Sequence, residues 1–479
     1  MLCGQLDRRR VGHRCAPCKK SHVKCDGGRP CSSCVTRGLE CVTSTGSSHF
    51  HFVQRRQPAR VPRVLVQDSW RYISTYFQAL GSLTQASVLR SPAVTALSHE
   101  DENVSRSLSI VGAFYACRNP QVLRVNAKER RDVTDTWTRQ KSAIENELKK
   151  PETARFTAVL LSSLLLAAIE LMVVQEEGTF QRWLSRISGF IKAHKKHSPT
   201  LTPFESDLVR FFRFLDILSS ISRHETPVEP QVASEPWPAP PVALHSLHRT
   251  DASPTDASPN SRKVDAMLSA LWQWAVLQER MMVWEQKTSG TAQLPGPSHD
   301  TADKSKESVD LRVQGLDIIC EVSALQSRMI ANLMQLSQEP HDHASVSISP
   351  YYHWALTGLS HKLKDGAWST LMCDLPILPS RVLHEQALTA LGCVETLIDR
   401  LGLDLALYLP FADFVGQEMQ TDVEQRRMLK FLDTVHGRGF EVANEYRDHL
   451  LCRWKPGNKG TVEPICAKMH ALSTDHVGI

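Results

Sequence analysis

The stretch that decides the fold of the N-terminal part of this chain is residues 15–41, which read CAPCKKSHVKCDGGRPCSSCVTRGLEC. Six of the 13 cysteines of the 479-residue chain lie in it. The spacing Cys-x2-Cys-x6-Cys occurs twice, first from Cys15 and again from Cys31. Because a short Cys-x2-Cys loop lets two sulfurs converge on one metal ion, the duplication predicts two similar metal-binding halves.

The number of cysteines sets how many zinc ions the stretch can hold. A structural Zn²⁺ prefers four thiolates in a tetrahedron, so two ions need eight metal–sulfur bonds. Six cysteines supply eight bonds if two of them bridge, and the duplication makes Cys15 and Cys31 the natural bridging pair. We therefore expect two Zn²⁺ as cofactors. The predicted metal ligands are Cys15, Cys18, Cys25, Cys31, Cys34 and Cys41.

The cysteine spacing, together with Lys24-Cys25-Asp26 and Arg29-Pro30-Cys31, resembles the fungal binuclear zinc cluster transcription factors of the Zn(2)-C6 type. The resemblance implies a DNA-binding domain at residues 14–42, in which the first and fourth cysteines bridge the metals. It also implies that the basic residues between the second and third cysteines end a short helix that lies in the major groove. Carried over to this chain, those residues are Lys19, Lys20, His22 and Lys24.

The charge distribution along the chain favours a nucleic-acid partner for this part. Two Zn²⁺ and six thiolates sum to a charge of −2, so neighbouring bases, Arg14 among them, must offset the repulsion of phosphate. The head segment, residues 1–63, holds 13 Lys and Arg against 3 Asp and Glu, a net charge of +10. The body, residues 64–479, has a net charge of −5. We expect the head segment to bind double-stranded DNA.

His22 departs from the pattern that the resemblance implies. Relatives typically carry Lys or Arg at this position, where the side chain contacts guanine in CGG-type half-sites. Histidine is shorter and mostly neutral at pH 7, so the half-site preference of this chain is an open question.

Other interpretations of the cysteines and of the body remain open. The cysteines could form a disulfide-bonded mini-domain, a single-zinc finger with two spare thiols, or a zinc module that contacts protein. The absence of an apolar signal-type stretch at the N-terminus argues against disulfides. The body shows no catalytic signature, and His384-Glu385 lacks the second histidine of a zinc-protease helix. We predict that the chain is not an enzyme; a zinc-bearing scaffold, or an enzyme with an unrecognised helical active site, is the alternative.

The spacing of apolar residues in the body predicts a mainly α protein, with an all-α regulatory body that contains disordered insertions. Phe180, Trp183, Leu184, Ile187 and Ile191 recur at helical spacing. The predicted divisions are a basic tail (1–13), the zinc domain (14–42), a linker (43–63), a first helical part (64–225), a Pro-rich disordered insertion (226–262) and a second helical part (263–479) with a flexible loop at 286–308.

Two helices of the body carry more specific predictions. Thr202-Pro203-Phe204-Glu205 has the composition of a helix start, with Thr at the N-cap, Pro in the first turn and Glu at the third position. Residues 156–174 are 19 long with 15 apolar, near the length of a membrane span. Polar residues, Glu170 among them, interrupt the stretch. We therefore predict a buried core helix and no membrane contact.

The body also resembles, in helix texture and order, the all-α regulatory region that follows the zinc cluster in many such factors. That resemblance implies a nuclear protein that receives metabolic or partner signals, contacts the transcription machinery and controls metabolic or biosynthetic gene clusters. Relatives often place a heptad coiled coil after the cluster, but residues 64–80 do not sustain three heptads. A homodimer formed through the body and a monomer are both open.

Overall fold

The computed structural model describes residues 15–42, 64–80, 87–150, 155–173, 179–223, 227, 259–292, 301–338 and 343–455. The chain divides into two compact units, Met1–Arg63 and Val64–Ile479, which correspond to the head segment and the body. No strand occurs in these ranges, so the mainly α prediction is confirmed. The predicted basic tail, Arg14 and the linker lie outside the described residues.

The described part of the head segment, residues 15–42, contains two short helices, α1 (Ala16–Lys20) and α2 (Ser32–Thr36). The body contains the longer ones. Its first half has α3 (Val64–Ala79), α4 (Pro92–Glu100), α5 (Glu102–Arg118), α6 (Ala127–Leu148), α7 (Phe156–Met172), α8 (Thr179–His197) and α9 (Pro203–Arg223). Its second half has α10 (Pro259–Ala292), α11 (Thr301–Ser337), α12 (His343–Leu363), α13 (Ser380–Leu397), α14 (Phe411–Gln417), α15 (Asp422–Gly437) and α16 (Val442–Arg453).

Polar side chains fix where several of these helices begin. The Thr202 hydroxyl accepts from the Glu205 N–H at 3.3 Å, and the Thr202 N–H donates to the Glu205 carboxylate at 2.8 Å. This reciprocal capping satisfies two backbone N–H groups that have no partner within the helix. The predicted start of α9 is therefore confirmed. Thr421 and Glu424 cap α15 in the same way.

The first half of the body packs around α5 and α7. The two helices α3 and α5 approach closely at Gly112, where an added Cβ would lie 1.9 Å from the Tyr72 carbonyl oxygen. Tyr72, Ile73 and Tyr76 of α3 are buried in this contact. The apolar face of the first helix after the linker is thus taken up by the core of the body, which explains why residues 64–80 lack coiled-coil heptads.

Helix α7 is the apolar stretch that approaches membrane-spanning length. Its residues are buried on every side, as Leu160, Leu161 and Leu166 are each 0 % exposed, so the core-helix prediction is confirmed. The Trp183 ring N–H donates to the Ser163 carbonyl at 3.0 Å, which ties α8 to α7. None of the helices in the described ranges is long and apolar enough to cross a bilayer.

The second half of the body packs around α12, which contacts α10, α11, α13 and α14. Trp274 of α10 and Trp354 of α12 meet edge to face, with ring centroids 4.5 Å apart. Gly358 makes this contact fit, because a Cβ there would lie 2.4 Å from the Trp274 ring. Large aromatic side chains thus fill the centre of this half, and small residues on α12 make room for them.

Two predicted flexible segments need correction. Residues 286–292 continue α10 and residues 301–308 begin α11, so most of the predicted loop at 286–308 is helical. The Thr288 hydroxyl donates back to the Trp284 carbonyl at 2.9 Å, so this polar side chain has a hydrogen-bond partner within the helix. The predicted insertion at 226–262 must end before residue 259, because α10 begins at Pro259. Proline is suited to the first turn of a helix. Residues 228–258 lie outside the described ranges.

Candidate metal centre and nucleic-acid interface

The duplicated cysteine spacing appears in the head segment as two copies of one local structure. Cys15 is the N-cap of α1 and Cys31 is the N-cap of α2, both with extended backbone (φ −64°, ψ 156° and φ −73°, ψ 149°). Cys18 and Cys34 lie three residues further on, within the helices. Because residues i and i+3 share one side of a helix, each half directs two sulfurs toward the same point.

The six sulfurs are brought together at distances that suit zinc. The Cys15 Sγ lies 3.7 Å from that of Cys31 and 3.5 Å from that of Cys34. The Cys18 Sγ lies 3.6 Å from that of Cys31, and the Cys25 Sγ lies 3.9 Å from that of Cys15. Zn–S bonds of about 2.3 Å place the sulfurs of a tetrahedron about 3.8 Å apart. The separations are also far longer than a disulfide bond of about 2.05 Å.

The sulfurs divide into two sets of four that share two members. Within each set the sulfurs lie within 4.8 Å of one another; the sets are Cys15, Cys18, Cys25, Cys31 and Cys15, Cys31, Cys34, Cys41. Cys15 and Cys31 belong to both sets. This is the arrangement expected for two tetrahedral ions with two bridging thiolates, and it uses the same pair that the duplication indicated.

Hydrogen bonding favours the thiolate form of Cys31, whereas burial raises the pKa of the Cys34 thiol. Cys15, Cys18, Cys31 and Cys34 are at most 2 % exposed, whereas Cys25 and Cys41 are half-buried. The Cys34 backbone N–H lowers the pKa of the Cys31 thiol to about 6. A thiol at a helix N-terminus is easier to deprotonate, and only the thiolate binds zinc.

Asp26 joins the two halves, which the sequence reasoning did not assign. Its carboxylate accepts from the Gly28 N–H at 3.2 Å and from the Ser32 N–H at 3.0 Å, and it also accepts from the Ser32 hydroxyl. The hydrogen bonds from Ser32 hold the pKa of Asp26 below its usual range. The Asp26 carboxylate thus caps the N-terminus of α2, which the Cys31 side chain does not do. In the sequence, this cap is indicated by an Asp that lies six residues before a Ser at the start of a helix.

The candidate DNA-contact residues lie at the end of α1 or just beyond it. The side chains of Lys20, His22 and Lys24 are exposed. Lys19 lies on α1, and its side chain is outside the description; Arg14 is outside it altogether. An exposed basic side chain can approach a phosphate or a base edge without losing a partner inside the protein.

His22 has a backbone role that the sequence did not reveal. Its φ is +52°, in the left-handed region, directly after the C-cap Ser21 of α1. The Val23 N–H donates to the Cys18 carbonyl at 3.2 Å, and the Ser21 N–H to the Pro17 carbonyl at 3.0 Å. These bonds close the helix end in the manner of a Schellman motif, where glycine is the usual residue. Histidine is among the residues that tolerate this conformation best.

Comparison with known proteins locates a family domain at the same residues. The sequence profile of the fungal Zn(2)-Cys(6) binuclear cluster domain matches residues 13–49. Residues of this chain are 45% identical over 42 positions to the thiamine repressible genes regulatory protein thi1 of Schizosaccharomyces pombe. They are 40% identical over 50 positions to the transcription factor FBD3 of Gibberella moniliformis.

These matches cover only a small part of each protein. They cover 9% and 10% of this chain, and 5% and 7% of the two relatives. No solved structure matches the chain. The likeness therefore concerns the cysteine cluster and its flanks, and the helical body stands on its own geometry.

Proposed function

We propose that this chain, whose residues 13–49 carry the fungal Zn(2)-Cys(6) binuclear cluster domain, is a sequence-specific DNA-binding transcription factor of RNA polymerase II genes. The observation that carries the proposal is the pair of four-sulfur sets that share Cys15 and Cys31. Such a cluster has no open coordination position, which suits a structural role for zinc and leaves none for substrate. The proposed ligands are all six clustered cysteines, with two Zn²⁺ bound.

The metal would act by holding the DNA-contacting residues in place. Helix α1 has only five residues, too few to be stable in water without support. Cys15 at its N-cap and Cys18 within it tie the helix to the cluster. In the proposed complex Lys20 and Lys24, with Arg14 and Lys19, neutralise phosphates, and His22 faces the base edges of a CGG-like half-site.

The proposed role in the cell follows from this activity. The protein acts in the nucleus and controls metabolic or biosynthetic genes, and its helical body contacts the transcription machinery. The support is the likeness to two fungal regulators, one of which is named for thiamine-repressible genes. A green fluorescent fusion tests nuclear location, and genome-wide mapping of bound sites identifies the target genes.

Selection from a randomised DNA pool tests the DNA-binding proposal directly. Zinc-loaded full-length protein should enrich a defined motif that contains CGG-like triplets, and a chelator should abolish the enrichment. A Cys31→Ser variant is the matched control, because it removes one bridging thiolate and leaves every basic residue in place. If the protein binds zinc but enriches no DNA motif, the proposal of sequence-specific DNA binding is wrong. The alternative, a zinc-bearing scaffold or enzyme, is then favoured.

A further inference from the structure

Among the described residues of the body, helix α11 has an apolar face that remains exposed to solvent. The helix is 37 residues long. Val309, Val313, Leu316, Ile330 and Met334 are 58%, 51%, 37%, 38% and 64% exposed. They are five of the 14 large apolar side chains that the described residues expose, so more than a third of these side chains belong to one helix. Such a concentration marks an interaction surface more often than chance exposure does.

The exposed face has the spacing of a coiled coil. Cys320, Ser323 and Ser327, which are also exposed, complete the series. The eight positions alternate in steps of four and three residues over about 37 Å of helix, which is the 3.5-residue repeat of a coiled-coil seam. We call this set the α11 seam; its members are Val309, Val313, Leu316, Cys320, Ser323, Ser327, Ile330 and Met334.

The α11 seam is distinct from the face of the same helix that packs in the core. Ile318, Val322, Leu325 and Met329 are at most 3 % exposed and face the body. At about 100° per residue the two sets fall on opposite sides of the helix. One face therefore holds α11 in the body, and the other is available to a partner.

The charges beside the α11 seam favour a second copy in parallel orientation. Val313 and Leu316 then occupy the a and d positions, a combination that favours two-stranded parallel coils. Arg312 and Asp317, both exposed, occupy g and the following e position. In a parallel pair Arg312 of each copy lies beside Asp317 of the other, so two opposite-charge contacts form by symmetry.

Two further features fit burial of this face. The Ser327 hydroxyl donates to the Ser323 carbonyl at 2.9 Å, so it can be buried without losing its hydrogen bond. Met372 is 86% exposed with φ +55°. The carbonyl of the preceding residue, Leu371, accepts from the Arg312 guanidinium of α11 at 3.3 Å, so this exposed apolar side chain follows directly on a contact with α11.

We propose that the α11 seam is a homodimerisation surface, in which two copies of α11 form a parallel two-stranded contact. The occupant is a second copy because the repeat and the Arg312–Asp317 pairs are self-complementary. The proposal does not depend on DNA binding, since association is measured without DNA.

Sedimentation equilibrium of the zinc-loaded full-length protein tests the surface. Wild type should be a dimer, and Val313→Glu should raise the dimer dissociation constant at least tenfold by placing two carboxylates face to face. The control is Val423→Glu, which changes a similarly exposed valine (60%, against 51% for Val313) on α15. A wild-type monomer at concentrations up to about 50 µM, or a Val313→Glu variant that dimerises like wild type, overturns the proposal. Circular dichroism melts show that the variants remain folded.

Covalent trapping tests the parallel orientation. Cys320 occupies an a position, so the two Cys320 side chains face each other in a parallel pair but are offset in an antiparallel one. Diamide should therefore produce a Cys320–Cys320 disulfide dimer, identified by peptide mass spectrometry. Cys320→Ser should abolish the linked dimer, whereas Cys373→Ser, at another exposed cysteine, should not. A dimer by sedimentation that gives no Cys320 link overturns the parallel arrangement.

Discussion

At the residue scale, His22 combines two roles: its backbone closes the end of α1, and its side chain is a candidate DNA contact. The resemblance places it where relatives contact guanine, and the structure places it at the left-handed position that closes α1. A non-glycine residue pays roughly 1–2 kcal/mol for that conformation. Substitutions that remove the imidazole can therefore act through the helix end as well as through the base contact, and the two must be separated.

We expect His22→Ala to weaken binding to the selected DNA site by about 1–3 kcal/mol, the scale of a good base contact, with little change on random DNA. His22→Gly also removes the imidazole but relaxes the helix end. The two variants should lose the same specific affinity if the ring contacts a base. Fluorescence anisotropy with both DNAs measures this, and a loss in His22→Ala alone would assign the effect to the backbone. His22→Lys should strengthen the preference for CGG.

The bridging cysteines give a second residue-scale prediction. Because Cys31 belongs to both four-sulfur sets, Cys31→Ser should release both zinc ions. Cys34 belongs to one set, so Cys34→Ser should leave one ion partly held. Native mass spectrometry of the full-length protein counts the metals, with two expected in wild type. A single ion in wild type, or equal losses in the two variants, would contradict two bridged ions.

At the element scale, the helices that the sequence predicted best are those whose ends or faces have one dominant cause. The capping residues of α9 indicate one starting point for that helix, and the mostly apolar sequence of α7 indicates a buried helix. The loop predicted at 286–308 failed because polar residues can be helical when the helix on either side is anchored by its core face. The α11 seam was hidden for the opposite reason. Its apolar residues are interleaved with those of the core face, and only burial separates the two sets.

An ion pair inside the first half of the body links α6 to α7 and yields a stability prediction. The Lys141 ammonium lies 2.7 Å from the Glu170 carboxylate, whose side chain is 1 % exposed. Burial raises the pKa of Glu170, and Lys141 opposes that rise. Lys141→Met should therefore destabilise the protein by about 3–5 kcal/mol at pH 8, because it leaves a buried carboxylate unpaired. Glu170→Gln, which removes that charge, should cost less.

The pH dependence of the Lys141→Met effect follows from the direction of that shift. A carboxyl whose pKa is raised on folding favours the folded state at low pH, and this contribution is lost as pH rises through the folded-state pKa. Without the ammonium the pKa of Glu170 rises further, so the carboxyl protonates more readily. Urea denaturation of variant and wild type at pH 5 and pH 8 should show a smaller difference at pH 5. An equal difference at both values would mean that Glu170 does not titrate in this range.

At the scale of the whole molecule, the sequence indicates which segment binds metal and DNA more clearly than it indicates how the helices of the body pack. The charge split predicts that DNA affinity lies in the head segment, and the cysteine count and duplication predicted which sulfurs the structure brings together. The packing of the body around α5, α7 and α12 could not be predicted, because it depends on contacts between residues far apart in sequence. Gly112 and Gly358 illustrate this, since nothing in their local sequence reveals which aromatic or carbonyl group each one faces.

The charge split makes a prediction about salt. Each phosphate contact adds about 0.9 to the slope of log affinity against log salt concentration. Lys20→Ala should therefore flatten the slope of the full-length protein by about one unit and weaken binding to specific and random DNA alike; Lys19→Ala should do the same. Lys149→Ala, at the exposed lysine that follows α6 in the acidic body, is the matched control and should leave the slope unchanged. Anisotropy titrations from low to moderate salt give these slopes. If Lys20→Ala kept the full slope, Lys20 would not contact a phosphate. If Lys149→Ala flattened the slope, DNA would also contact the body. The assignment of all DNA affinity to the head segment would then be wrong.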